Sequence, residues 1–133
     1  MYGEIRVGDS EADADEGARL IVSGVKTATS SLLWAYDATG TRPPSLGALS
    51  IVMNGKGEPV CIVETTWLKV QAFNQIDEPF ARDYGEWDGT LATWRKECLA
   101  YYGHRCEALG RTPSPDMPLV CERFRVVFPR EDR

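Results

Sequence analysis

A lysine and a threonine stand three residues apart, Lys26 and Thr29, in the run Gly24-Val25-Lys26-Thr27-Ala28-Thr29-Ser30-Ser31. In a helical turn, residues at that spacing share a face, which sets an amine beside a hydroxyl. Such a pair can act as base and nucleophile. The turn also offers unpaired backbone N–H groups and a cation, which suit an anionic ligand. A structural reading accounts for the same residues: Gly24 caps a helix, the hydroxyls cap the next one, and Lys26 is solvated. Trp34 and Tyr36 follow at once, and Trp87 comes later. Each can stack a base or pack in a core.

The elements around this run set what it can do. Residues 4–7 read as a short strand. Ser10 reads as the N-cap of a helix whose acidic first turn suits the dipole, with Ala14, Ala18, Ile21 and Val22 as its apolar side. Gly24 ends that helix, and residues 31–36 read as a short helix or irregular turn. Residues 49–53 read as a strand, Asn54-Gly55 as a hairpin signal, and residues 59–73 as a strand too long not to bend or bulge once. Asp77 caps a short helix that ends near Tyr84-Gly85. Thr90 caps the longest helix, with Leu91, Trp94, Cys98, Tyr101, Tyr102 and Leu109 on one face, and Gly110 stops it.

Residues 119–128 form the last strand, with Val120, Glu122, Phe124, Val126 and Phe128 on one face. A carboxylate on an apolar face must be paired or lie at an edge, so Glu122 is either a partnered charge or part of a site. The order of elements predicts an α+β protein with a mostly antiparallel, curved sheet or small barrel and flanking helices. Residues 130–133 read as a solvated tail.

The totals narrow the function. The 133 residues fit one domain, 1–133, with a real core. A net charge of −5 excludes coating of nucleic acid by bulk electrostatics, but not a local cleft or a small nucleoside ligand. No basic-then-apolar leader and no apolar run near ~18 residues occurs, so the expected location is cytoplasmic, away from the membrane. The four cysteines, Cys61, Cys98, Cys106 and Cys121, form no Cys-x-x-Cys pair, and His104 is the one histidine. Buried free thiols are expected, with no metal and no disulfide.

Three stretches together resemble the ASCH domain, a small β-barrel domain similar to the PUA fold. They are residues 24–29, then Gly85-Glu86-Trp87-Asp88 with Leu91 and Trp94, and then residues 116–124. The resemblance spans residues 7–128, and its second and third stretches look like a longer bacterial subgroup. The first matches a Gly-x-Lys-x-x-Thr-x-Arg signature, except that Ser31 stands at the arginine.

The resemblance implies a barrel cleft that binds RNA or a nucleoside. A small member hydrolyses an acetylated cytidine with the signature lysine, the signature threonine and a later glutamate; another relative is described as a ribonuclease. These positions carry over to Lys26, Thr29 and the segment around Tyr84, where Glu86 is the nearest carboxylate and Asp83 the second.

The expected function is therefore binding of RNA or a modified nucleoside through Gly24, Thr27, Ser31, Trp34, Tyr36 and Arg123 beside Lys26 and Thr29. Hydrolysis of the same ligand class by Lys26, Thr29 and Glu86 is the alternative, and a protein-interaction adaptor the third. Binding is favoured over hydrolysis because Ser31 and Tyr84 depart from the hydrolytic pattern. The expected partner is RNA or a small nucleoside-like ligand, with no cofactor; the oligomeric state is left open.

Overall fold

A computed structural model describes residues 3–129. The tail at 130–133 lies outside the described residues. The elements are β1 (Gly3–Ile5), α1 (Glu11–Val22), β2 (Ala28–Leu32), α2 (Leu33–Thr39), β3 (Leu49–Met53), β4 (Pro59–Ala72), a 3-10 turn (Phe73–Gln75), α3 (Glu78–Tyr84), α4 (Leu91–Ala108) and β5 (Pro118–Phe128). The five strands form one curled sheet in the order β1-β3-β4-β5-β2. All neighbours are antiparallel except β1 and β3, which run parallel. The α+β class and the PUA-like half-barrel are thus as expected.

Two local expectations are corrected. Residues 28–32 form a strand, not part of a helical turn. Ala28, Ser30 and Leu32 are buried and alternate with half-buried Thr29 and Ser31, while β5 satisfies the backbone from the side. Tertiary pairing has overridden a Ser/Thr-rich sequence that reads as caps. The long strand β4 shifts register twice against β5, between Ile62 and Val63 and between Thr65 and Trp67, instead of once. The β3–β4 hairpin turn forms at residues 54–57 as expected, with Gly57 left-handed. The Asn54 side chain organises that turn by accepting from the N–H groups of Lys56 and Glu58.

Each face of the sheet packs on a helical layer. On one side, Trp94, Cys98, Tyr102 and Cys106 recur every four residues along α4 and bury against Phe80 of α3 and Leu119 and Cys121 of β5. On the other, Ala18 and Ile21 of α1 pack on Val52, Cys61, Val63 and Phe124. Val22, expected on the apolar side, is exposed. All four thiols are free and buried. The caps fall as read: Ser10 accepts from Asp13 N–H, Asp77 from Phe80 N–H and Thr90 from Thr93 N–H.

The end of α3 positions the site. Gly85 is left-handed at φ +72°, and a Cβ there would meet the carbonyl oxygen of Val25 at 2.4 Å and Cα of Lys26 at 2.6 Å. Only glycine lets α3 end against the segment that precedes β2. Thr27 seals the junction by donating its N–H to the Asp83 carbonyl at 2.8 Å.

Candidate functional site

Lys26 is 1% exposed. Its ammonium donates to the Tyr84 carbonyl at 3.0 Å, pairs with Glu86 Oε2 at 2.8 Å and lies 3.4 Å from the centre of the Tyr84 ring. Burial pushes the amine below its ordinary value, and the Glu86 carboxylate pulls in the opposite direction. The solvated amine of the structural reading is corrected, and the amine does not share a solvent-facing cavity wall with Thr29. Nζ lies behind Tyr84 and Glu86, and no hydrogen bond joins it to Thr29 among the described residues.

Tyr84 and Glu86 form part of the wall of a cavity of about 290 Å³. That size falls near the lower end of the range for small-molecule sites, ~300–1,000 Å³. Thr29, Ser30, Trp87, Cys98, Tyr101 and His104 add to the wall. The lining carries four carboxylates, Asp9, Asp13, Glu86 and Glu97, against Arg6 and His104.

Trp87 is half-exposed and stacks on Tyr84, with ring centres 6.0 Å apart and planes 14° apart. Its φ of +59° puts a bulky residue in the left-handed region, a strained conformation that clusters at functional sites. Thr29 makes no hydrogen bond to another described side chain, so its hydroxyl is available to a ligand in the cavity. Burial pushes the Cys98 thiol far up, which leaves it an inert wall.

Glu122 lies opposite Thr29 in the β2–β5 ladder. It is buried and accepts from the Thr65 hydroxyl at 2.8 Å. Burial pushes its carboxyl above the ordinary value, opposed by the Thr65 hydrogen bond and the Lys26 charge. Asp83, the second carboxylate candidate, turns its side chain to Arg123 at 3.2 Å instead.

Of the expected binding residues, Ser31 and Tyr36 line a second cavity of about 290 Å³ and hydrogen-bond to each other at 2.9 Å. Ser31, where the signature has an arginine, and Arg105 of α4 both line it. Gly24, Thr27, Trp34 and Arg123 line neither cavity. Gly24, at φ +82°, turns the chain after α1. Thr27 is spent on Asp83. Trp34 carries the Arg111 guanidinium 4.6 Å from its ring centre and packs against the core. Arg123 lies over Trp67 and Phe80 and pairs with Asp83.

Of the α4 residues that line the cavities, the sequence reading places Cys98, Tyr101 and Tyr102 on the apolar face and assigns Glu97, His104 and Arg105 to no site. The signal was present: Glu97, Tyr101, His104 and Arg105 form a polar stripe beside the buried stripe of Trp94, Cys98, Tyr102 and Cys106. Among the described residues no cluster of three potential metal ligands occurs, and no helix is long and apolar enough to cross a membrane.

This fold is that of an ASCH domain. The family model described as the ASCH domain matches residues 4–128, and the chain belongs to that family. Among solved structures, an ASCH domain from Lactobacillus crispatus is 36% identical, covers 94% of this chain and 79% of its own, and superposes with a TM-score of 0.89. A protein from Enterococcus faecalis is 33% identical with a TM-score of 0.85, covering 90% of this chain and 72% of its own. A hypothetical protein at 18% identity and TM-score 0.59, covering 96% and 100%, shares the fold alone. No curated protein matches the chain significantly.

Proposed function

We propose that the first cavity binds a nucleoside, free or at a single-stranded RNA position, with the base against Trp87 and Tyr101 and its polar edge toward Glu86 and Thr29. The observation that carries this reading is the Lys26–Glu86 pair. It holds a carboxylate at the wall of an aromatic cavity, beside an unbonded hydroxyl. A carboxylate accepts from the amino and imino groups on the pairing edge of a base, and aromatic side chains stack on its face. The carboxylate-rich lining disfavours a polyphosphate backbone in this cavity and favours an uncharged ligand there. Titration calorimetry with a panel of plain and modified nucleosides tests the reading. Micromolar to millimolar binding is expected, weakened by roughly 1.5–3 kcal/mol in Glu86→Gln, the scale of a hydrogen bond to a charged group. No binding by any nucleoside at millimolar concentration would overturn it.

A second reading, hydrolysis of an acylated cytidine, is favoured by one observation: burial lowers the proton affinity of Lys26 beside Glu86, the direction a general base needs. In that chemistry an activated water attacks the acyl carbon and the C–N bond breaks, or Thr29 attacks first and water then hydrolyses the acyl-threonine ester to free the acid. The exocyclic nitrogen leaves with a proton delivered through Glu86. Turnover of an acylated cytidine, abolished in Lys26→Ala with affinity largely kept, would establish it. Binding without turnover would dismiss it.

A further inference from the structure

The second cavity differs from the first in charge and in hydrogen-bonding character. Among the described residues its lining contains no carboxylate, and its one charged group is Arg105. That guanidinium is exposed and lies 5.8 Å from the centre of the Tyr101 ring, and it makes no ion pair among the described residues. The same wall holds Ser31, Tyr36, Thr39 and Thr41. Ser31 and Tyr36 share one hydrogen between their two oxygens, so one O–H of the pair remains to donate outward.

The two cavities are neighbours. Ser30 and Tyr101 belong to the wall of both. Along β2 the first cavity takes Thr29 and the second takes Ser31, about 7 Å further along a strand. Along α4 the lining passes from Tyr101 to Arg105, about 6 Å further along a helix. Both walls advance by the length of roughly one nucleoside. The Ser30 hydroxyl is fixed on Tyr102 at 2.6 Å, which keeps the partition between the cavities in place.

We infer that the second cavity is an anion subsite that takes the phosphate of a nucleotide whose base occupies the first cavity, with Arg105 as its cation and the Ser31–Tyr36 pair as its hydroxyl donor. A guanidinium and hydroxyls free of carboxylates are the groups that recognise phosphate oxygens. The ligand is then a nucleoside monophosphate, or one such unit of a single strand, rather than a free nucleoside. This inference rests on the nucleoside reading of the first cavity.

Calorimetric titration of the unmodified protein at low salt with each nucleoside, its 3′- and 5′-monophosphates, and inorganic phosphate tests it. One monophosphate series is expected to bind about tenfold more tightly than the nucleosides. Arg105→Ala should bring that series to within twofold of the nucleosides while shifting the nucleosides themselves less than twofold. Arg105→Lys should restore part of the gain, and inorganic phosphate should compete with the monophosphate but not with the nucleoside. Nucleosides that bind as tightly as their monophosphates would overturn the subsite and leave the nucleoside reading standing. Phosphate binding that is lost in Arg105→Ala, with no nucleoside binding, would overturn the nucleoside reading and, with it, the nucleotide. A gain that survives Arg105→Ala would overturn the assignment of the second cavity.

Discussion

With Glu86 changed to glutamine, the Lys26 ammonium stays buried with no carboxylate against it. With Lys26 changed to methionine, Glu86 remains at a cavity wall where its side chain is 17% exposed and can be hydrated. The two changes should therefore differ in urea denaturation at pH 7. Glu86→Gln is expected to lose roughly 3 kcal/mol, the lower end for an orphaned buried charge. Lys26→Met is expected to lose about 1.5 kcal/mol, the lower end for a hydrogen bond from a charged group, here to the Tyr84 carbonyl. Equal losses would mean that the ammonium is neutral in the folded protein.

Glu122 gives a pH signature of its own. Its folded value is raised, so between the unfolded value and the folded one the native state holds more protons. Stability from this group then falls as pH rises through that window, and its penalty is fully present above the folded value. Glu122→Gln keeps an oxygen acceptor for Thr65 and removes the penalty. The variant's advantage over the parent should grow from pH 4 to pH 7 in urea melts. An advantage that shrinks over that range would contradict the direction of the shift.

At the scale of elements, the site depends on how α3 meets the chain ahead of β2. Gly85→Ala drives a methyl into the backbone of Val25 and Lys26, so the helix end must move and carry Glu86 with it. Gly89 is equally left-handed, at φ +77°, yet nothing lies within 4 Å of a Cβ there. Gly89→Ala should lose only about 1–2 kcal/mol, the conformational term alone. Gly85→Ala should lose more than that and also abolish nucleoside binding. Thermal melts together with titrations separate the two. The same comparison explains what could be read beforehand. Asp77, Thr90 and Gly24 announced their helix ends because capping is a local interaction. β2 did not, because its partner β5 lies some ninety residues away and its own Thr-Ser-Ser sequence favours turns. Lys26 and Glu86 were legible as types and as a segment, but their contact is made by the α3 cap, which no spacing encodes. Arg123, which looked free to bind a ligand, is claimed by Trp67, Phe80 and Asp83 from two other elements.

For the molecule as a whole, a net charge of −5 sets the kind of partner. A net negative charge gives no bulk attraction to a nucleic-acid backbone, so under the proposed function affinity comes from contacts inside the two cavities. Binding of a short single strand should show a weak salt dependence. A plot of log K against log salt is expected to have a slope near −0.7, the value for about one phosphate contact. A slope several times steeper, measured by fluorescence anisotropy on a labelled oligonucleotide, would require a basic surface beyond the second cavity.

The sheet order carries one more consequence, for synthesis rather than for binding. β5, the last of the five strands, is hydrogen-bonded to both β4 and β2, and among the described residues β2 has no other ladder partner. A nascent chain stopped at residue 117 has made Lys26, Thr29 and Glu86 but lacks the strand that seats β2. While the chain is still being threaded from the ribosome, the two serines and the threonine of β2 wait in solvent. The hairpin of β3 and β4 can zip early, being local, whereas the cavity walls assemble only when residues 118–128 emerge. The protein therefore acquires its two cavities in a single late event, and a ribosome-arrested fragment ending before Pro118 should bind nothing that the complete sheet binds.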